Sequence, residues 1–79
     1  MNSKLDCKKV VGAKQTIKMI KDNKASIVYL AKDAEAKVIK PIEGLCIQNN
    51  VKYIYIESMK ELGQMCGIDV GAATAALIN

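Results

Sequence analysis

Two six-residue runs, SIVYLA (Ser26–Ala31) and VKYIYI (Val51–Ile56), hold all three tyrosines of the chain among Ile and Val. The segments around them repeat their apolar residues every three to four positions. Runs of the first kind suit strands, and spacing of the second kind suits one face of a helix. A chain that alternates the two must cover sheet with helix. The pattern therefore predicts an α/β layered domain with a small central sheet flanked by helices. At 79 residues it makes one domain, because a chain this size buries only ~60% of its unfolded surface.

From Ala13 to Asn23, the residues Ala13, Ile17 and Ile20 fall at i, i+4 and i+7, the buried stripe of a helix. Lys14, Lys18 and Lys21 repeat that spacing one residue on and form a basic stripe beside it. DNKA ends this helix. Residues 32–50, KDAEAKVIKPIEGLCIQNN, put Val38, Ile39, Ile42, Leu45 and Cys46 on one face of a second helix. Asp33 or a neighbour is expected to cap its start. Pro41 lacks a backbone donor and is expected to kink the helix or force a restart near Lys40. In SMKE, Ser58 and Glu61 have the spacing of a capping box, so a third helix runs through Leu62 and Met65 and stops at Gly67. IDVG is a loop. AATAALI reads as a final strand, with a helix as the rival assignment because of its alanines.

Charge narrows the function. Twelve basic against eight acidic side chains give net +4, which favours a polyanionic partner. No apolar run approaches the ~20 residues of a membrane span, and MNSKLDCKKVV lacks a signal-peptide core. The expectation is a cytoplasmic protein with no membrane partner. Cys7, Cys46 and Cys66 form no Cys-x-x-Cys pair, and the chain has no histidine to complete a zinc site. No metal or cofactor is expected. Cys46 and Cys66 read as small hydrophobes, and Cys7 as the most exposed of the three. Asp33, Glu35 and Cys66 are the only conceivable reactive groups, and nothing in the sequence gathers them with a base. An enzyme is not expected.

VVGAKQTIKMIK (Val10–Lys21) carries the functional signal. Lys14 falls in a first helical turn, where the dipole already presents its positive end, so the placement costs stability. An external anion would offset that cost. Gln15, beside Lys14 and one turn from Lys18, is a neutral donor and acceptor suited to base edges. Aromatic content of 4% argues against base-stacking platforms. RNA recognition would then rest on shape, phosphates and a few polar contacts.

GAKQTIK, IVYLAKDAE and ESMKELGQMCGIDVGAATAAL together resemble the kink-turn-binding ribosomal protein family of L7Ae and L30e type. The ordered set Gly12, Lys18, KDAE, Leu62-Gly63 and Cys66-Gly67 carries the resemblance from Lys8 to Ile78. It is strongest to the small bacterial members that consist of this domain alone. The resemblance implies a three-layer α-β-α sandwich with a small mixed central sheet. It also implies one RNA-binding domain over residues 1–79, acting as a monomer. The partner would be a structured RNA, ribosomal or riboswitch, that contains a kink-turn: a duplex bent at a short bulge beside tandem sheared G·A pairs.

Carried over by position, the resemblance puts the reading of the G·A pairs on Lys14, Gln15 and Lys18, with Lys21 extending the basic stripe. Gly12 would let the backbone approach closely. Ile68, Asp69 and Val70 would cover the nucleotide flipped from the bulge. Glu35 and Ile39 match positions lining its pocket; Glu35 reads equally as a carboxylate favouring a helix dipole, and Ile39 as core. The chain departs from its archaeal and eukaryal relatives at four places. Lys14 and Gln15 stand where Asn and Glu are usual, Met59 where a lysine is frequent, and Val70, beside Asp69, where an arginine is common. A protein-interaction module of the same fold is the alternative function.

Overall fold

The computed structural model describes residues 8–78, so the expectation for Cys7 lies outside the described residues. Seven elements follow one another: β1 (Lys8–Val11), α1 (Ala13–Lys21), β2 (Ala25–Ala31), α2 (Ala36–Gln48), β3 (Lys52–Ile56), α3 (Met59–Cys66) and β4 (Thr74–Ile78). The strands form one sheet in the order β1-β4-β2-β3. β4 pairs antiparallel with both β1 and β2, and β3 pairs parallel with β2. The sheet is therefore mixed, and β1, β2 and β3 all run the same way. Each is followed by a helix, so α1, α2 and α3 all start at the same edge of the sheet.

The alternation of side chains along the central strands divides the core in two. Val28, Leu30 and Ala76 face α1 and α2, where they meet Ile20, Ile39, Ile42 and Cys46. Ala31 and Ala75 face α3, where they meet Leu62, Cys66 and Ala72. Helices thus cover both faces, giving the expected α-β-α sandwich. The stripe on α1 is wider than its spacing suggested: Thr16 and Met19 are buried with Ile20, while Ala13 and Ile17 are only half-buried. The rival assignment of AATAALI fails because β4 bonds to a strand on each side. Its alanines suit that central place, since small side chains let helices approach both faces.

All three helices end alike. Asn23, Asn50 and Gly67 adopt positive φ of 60°, 58° and 77°. The following amide in each case reaches back five residues: Lys24 N–H to Met19 C=O at 2.9 Å, Val51 to Cys46 at 2.8 Å and Ile68 to Gly63 at 3.0 Å. This is the Schellman closure, and Asn and Gly are the residues that tolerate its left-handed turn.

One local expectation is narrowed and one is corrected. Pro41 lies inside α2, which runs unbroken from Ala36 to Gln48 with no restart. The bond it forfeits is to the Lys37 carbonyl, and both residues are exposed. Asp33 does not cap α2. Glu35 is the N-cap there and makes no side-chain cap bond. Asp33 Oδ1 instead accepts the Met59 N–H, at the start of α3, at 2.8 Å. Of the capping box, Ser58 Oγ accepts the Glu61 N–H at 3.1 Å as expected.

Edge strand β3 is fastened to α2 by its tyrosines. Tyr55 and Tyr53 donate their hydroxyls to Glu43 at 2.6 and 3.2 Å. The Tyr55 bond is the main cause that holds the Glu43 carboxyl below its ordinary range, and the same bond pushes Tyr55 up to about 12.

Candidate functional site

The edge at which the three helices begin gathers most of the residues singled out from the sequence. Gly12 follows β1 as the N-cap of α1, with φ 106° and ψ 155°, a region open essentially to glycine alone. Its N–H donates to the Thr74 carbonyl at 2.9 Å, tying the start of α1 to the start of β4. A Cβ at Gly12 would meet nothing within 4 Å, so the backbone here is open to a close approach.

α1 begins without a side-chain cap and without an acidic residue in its first turn. Lys14 and Gln15 are both exposed there. The free amides and Lys14 thus present positive potential together, a combination that suits an anion. Lys18 lies one turn on and meets Asp22 at 3.5 Å, an exposed pair of little energetic weight. Lys21 is in the last turn, ~10 Å along the axis from Lys14, where it favours the dipole. Of the three α1 lysines, Lys14 alone stands against the dipole of the helix.

Between β2 and α2, Lys32, Asp33 and Glu35 are exposed at the same edge. Lys32 meets Glu57, at the start of the β3–α3 connection, at 3.4 Å. Ile39 does not reach the edge surface: it is 5% exposed and packs in the core on the α1–α2 side.

Residues 67–73 return the chain from α3 to β4 across the same edge. Ile68 is half-buried against the α3-side core and anchors the loop. Asp69 is exposed, and Val70 is 70% exposed. The loop is bonded to each neighbour it crosses. The Ala72 N–H donates to the Met59 carbonyl at 3.0 Å, and the Ala31 N–H donates to the Ala73 carbonyl at 2.9 Å. Gly63 lies directly beneath it, where a Cβ would overlap the Val70 carbonyl oxygen.

Two lysines missed in the sequence belong to this edge. Lys37 and Lys60, like Lys14, occupy the second position of their helices and are exposed. The signal was available: Gly-Ala-Lys, Glu-Ala-Lys and Ser-Met-Lys open α1, α2 and α3. Carboxylates are present too, at Asp33, Glu35, Glu57, Glu61 and Asp69. They lie on the α2, α3 and loop side of the edge, which leaves the α1 side as its basic half.

Cys46 and Cys66 are buried, and burial pushes both thiols up, Cys46 to about 11, so neither is a thiolate at neutral pH. A groove of about 490 Å³ opens on the α3 face, lined by Lys9, Tyr29, Met65, Cys66 and Leu77 among others. It lies beside the second half of α3, away from the edge. Among the described residues, no helix is long and apolar enough to cross a membrane.

The sequence profile of the ribosomal protein L7Ae/L30e/S12e/Gadd45 family matches residues 3–79. An RNA-binding protein of Caldanaerobacter subterraneus subsp. tengcongensis is 59% identical over 69 residues, which cover 87% of this chain and 84% of that protein. The RNA-binding protein YbxF of Geobacillus stearothermophilus is 39% identical over 70 residues, covering 89% and 85%. Among solved structures, the 15.5 kD RNA-binding protein of Giardia lamblia superposes with a TM-score of 0.87 at 26% identity. That match covers 96% of this chain and 63% of the Giardia chain.

Proposed function

The chain belongs to the ribosomal protein L7Ae/L30e/S12e/Gadd45 family, and we propose that it is an RNA-binding protein that recognises kink-turns and holds them bent. On this reading the whole chain is one binding domain, monomeric and cytoplasmic, without catalytic activity. The observation that carries it is the edge itself. An open glycine backbone, uncapped amides, Lys14 and Gln15 stand there, in the fold that places the exposed Val70 loop on the same edge. The names of the relatives support the RNA part of the reading.

The first turn of α1 enters the major groove at the kink. A regular A-form major groove is too narrow to admit side chains, and the bend opens it. Lys14 and Lys18 neutralise phosphates or meet guanine acceptors, and Gln15 bonds to guanine edges. The loop at Ile68, Asp69 and Val70 covers the flipped nucleotide, beside Glu35. The protein binds the bent conformer better than the extended one, and that difference in affinity is what shifts the RNA population.

Gln15 and Lys21 separate specificity from charge. Gln15→Ala is expected to cost ~1–3 kcal/mol on a kink-turn duplex and much less on an unkinked one. Lys21→Ala should weaken both RNAs alike, because a phosphate contact carries no sequence information. Gel shifts with the two duplexes check this. Equal losses on both RNAs for Gln15→Ala would remove it from the recognition set.

Val70 and Asp69 test the loop. Burying a side chain of this size is worth up to ~1.5–3 kcal/mol, less when partial. Val70 is already exposed, so Val70→Ala should weaken kink-turn binding modestly while the melting temperature barely moves. Asp69→Asn should tighten binding slightly by removing a negative charge near phosphates. Paired titration and thermal melting decide. A large melting loss with unchanged affinity for Val70→Ala would return the loop to a purely structural role.

A further inference from the structure

We propose that Asp33 is a positioning residue of this site: through Met59, its carboxylate holds the 68–72 loop at the edge where RNA is bound. The inference rests on the RNA-binding reading above. Asp33 Oδ1 accepts the Met59 N–H at 2.8 Å, across 26 residues of sequence. Met59 is the first residue of α3, and its amide is one of the donors a helix start leaves unpaired. With Ser58 Oγ serving Glu61, Asp33 supplies the other cap.

Met59 is also where the loop is fastened. Its carbonyl accepts the Ala72 N–H at 3.0 Å, and a Cβ on Gly71 would come within 3.1 Å of the Met59 Cβ. Asp33, Met59, Gly71 and Val70 are thus linked by one bond, one packing contact and one peptide step. Asp33 itself lies in the β2–α2 connection, two residues before Glu35. It therefore couples two of the elements that the RNA reading brings together.

The chemistry of the side chain argues for positioning over ligand contact. A carboxylate at an edge that receives phosphates opposes binding by charge. Asparagine would offer the same acceptor oxygen without that charge. The two contributions have opposite signs, so the variants separate them.

The experiment uses the full chain and a kink-turn duplex, with an unkinked duplex as control. Asp33→Ala is expected to weaken kink-turn binding about three- to tenfold, the range set by losing one cap. Asp33→Asn is expected to match the unmodified protein or bind slightly tighter. Combined with Val70→Ala, the loss from Asp33→Ala should be less than additive, because both act through the loop. Combined with Lys14→Ala it should be additive. Amide exchange at Ala72 should quicken in Asp33→Ala and not in Asp33→Asn. Asp33→Ser, too short to reach Met59, is the second variant should Asp33→Ala fail to fold.

Equal changes for Asn and Ala, or strict additivity with Val70→Ala, would overturn the proposal and leave Asp33 as a surface charge or an ordinary cap. If the unmodified chain binds both duplexes alike, the kink-turn reading fails. Ala72 exchange then still decides whether Asp33 holds the loop.

Discussion

Gly63→Ala is expected to lower the melting temperature by about 10–20 °C, while Gly44→Ala in α2 should raise it by about 2–8 °C. The two glycines differ in what a methyl group would meet. At Gly44 it meets nothing within 4 Å, on an exposed helix interior where alanine restricts the unfolded chain and favours the helix. At Gly63 it overlaps the Val70 carbonyl oxygen and crowds the backbone as far as Gly71. Overpacking ordinarily costs ~1–3 kcal/mol, and the upper end applies where the obstacle is backbone that cannot rotate away. A domain of this size has only ~4–12 kcal/mol of stability to lose. The loop is the softer partner, so the strain should also displace Val70 and lower RNA affinity. Circular dichroism melts of both variants check the signs. A Gly63→Ala melt within about 2 °C of the unmodified protein would mean that the loop is not seated on α3.

That contact shows where sequence reasoning ran out. The Leu62-Gly63 pair stood out as part of a family pattern, but its physical reason is a contact with residues seven and eight positions later, which no local period reports. The elements themselves were legible because their signals are local. β-branched and tyrosine-rich runs gave β2 and β3, apolar stripes gave α1 and α2, and Ser58 and Gly67 marked the two ends of α3. The last strand was ambiguous for a physical reason. Alanine prefers helix, and only the bonds to β1 and β2 on either side decide against it. Pro41 forces no restart, because one forfeited bond leaves the rest of the α2 ladder in place.

The candidate site was legible in the placement of its α1 residues and partly hidden in the placement of the rest. Lys14 and Gln15 could be placed from Gly12 and the helical period alone. That α2 and α3 open beside α1 depends on the strand order, which periodicity does not contain. Lys37 and Lys60 were overlooked for that reason, although each repeats the position of Lys14. Asp33 was read as a cap, which it is, but of the wrong helix. Sequence spacing offered α2 as the nearer start, whereas the fold puts the Met59 amide within 2.8 Å.

Salt dependence should decide how much of that edge faces the RNA. Affinity for a kink-turn duplex is expected to fall with a log–log slope of about −2 to −5, a loss of about 15- to 1,000-fold between 50 and 200 mM salt. The two limits correspond to different surfaces. If Lys14, Lys18 and Lys21 alone meet phosphates, three cations give a slope of about −2 to −3. If Lys32, Lys37 and Lys60 join them, six cations give about −4 to −5. The pairings modulate this. Lys18 is shared with Asp22 and Lys32 with Glu57, so each must give up a weak ion pair to reach a phosphate. Lys14 has no acid in its own helical turn to lose, and it stands where helix amides already favour an anion. Lys14→Ala should therefore cost more affinity than Lys18→Ala and flatten the slope by about one. Lys37→Ala with Lys60→Ala should leave a shallow slope unchanged, or reduce a steep one by about two. Titrations at four or five salt concentrations distinguish the cases. A slope near zero would remove phosphate contact from the account, and the exposed lysines of α1 would then be a solvated helix face.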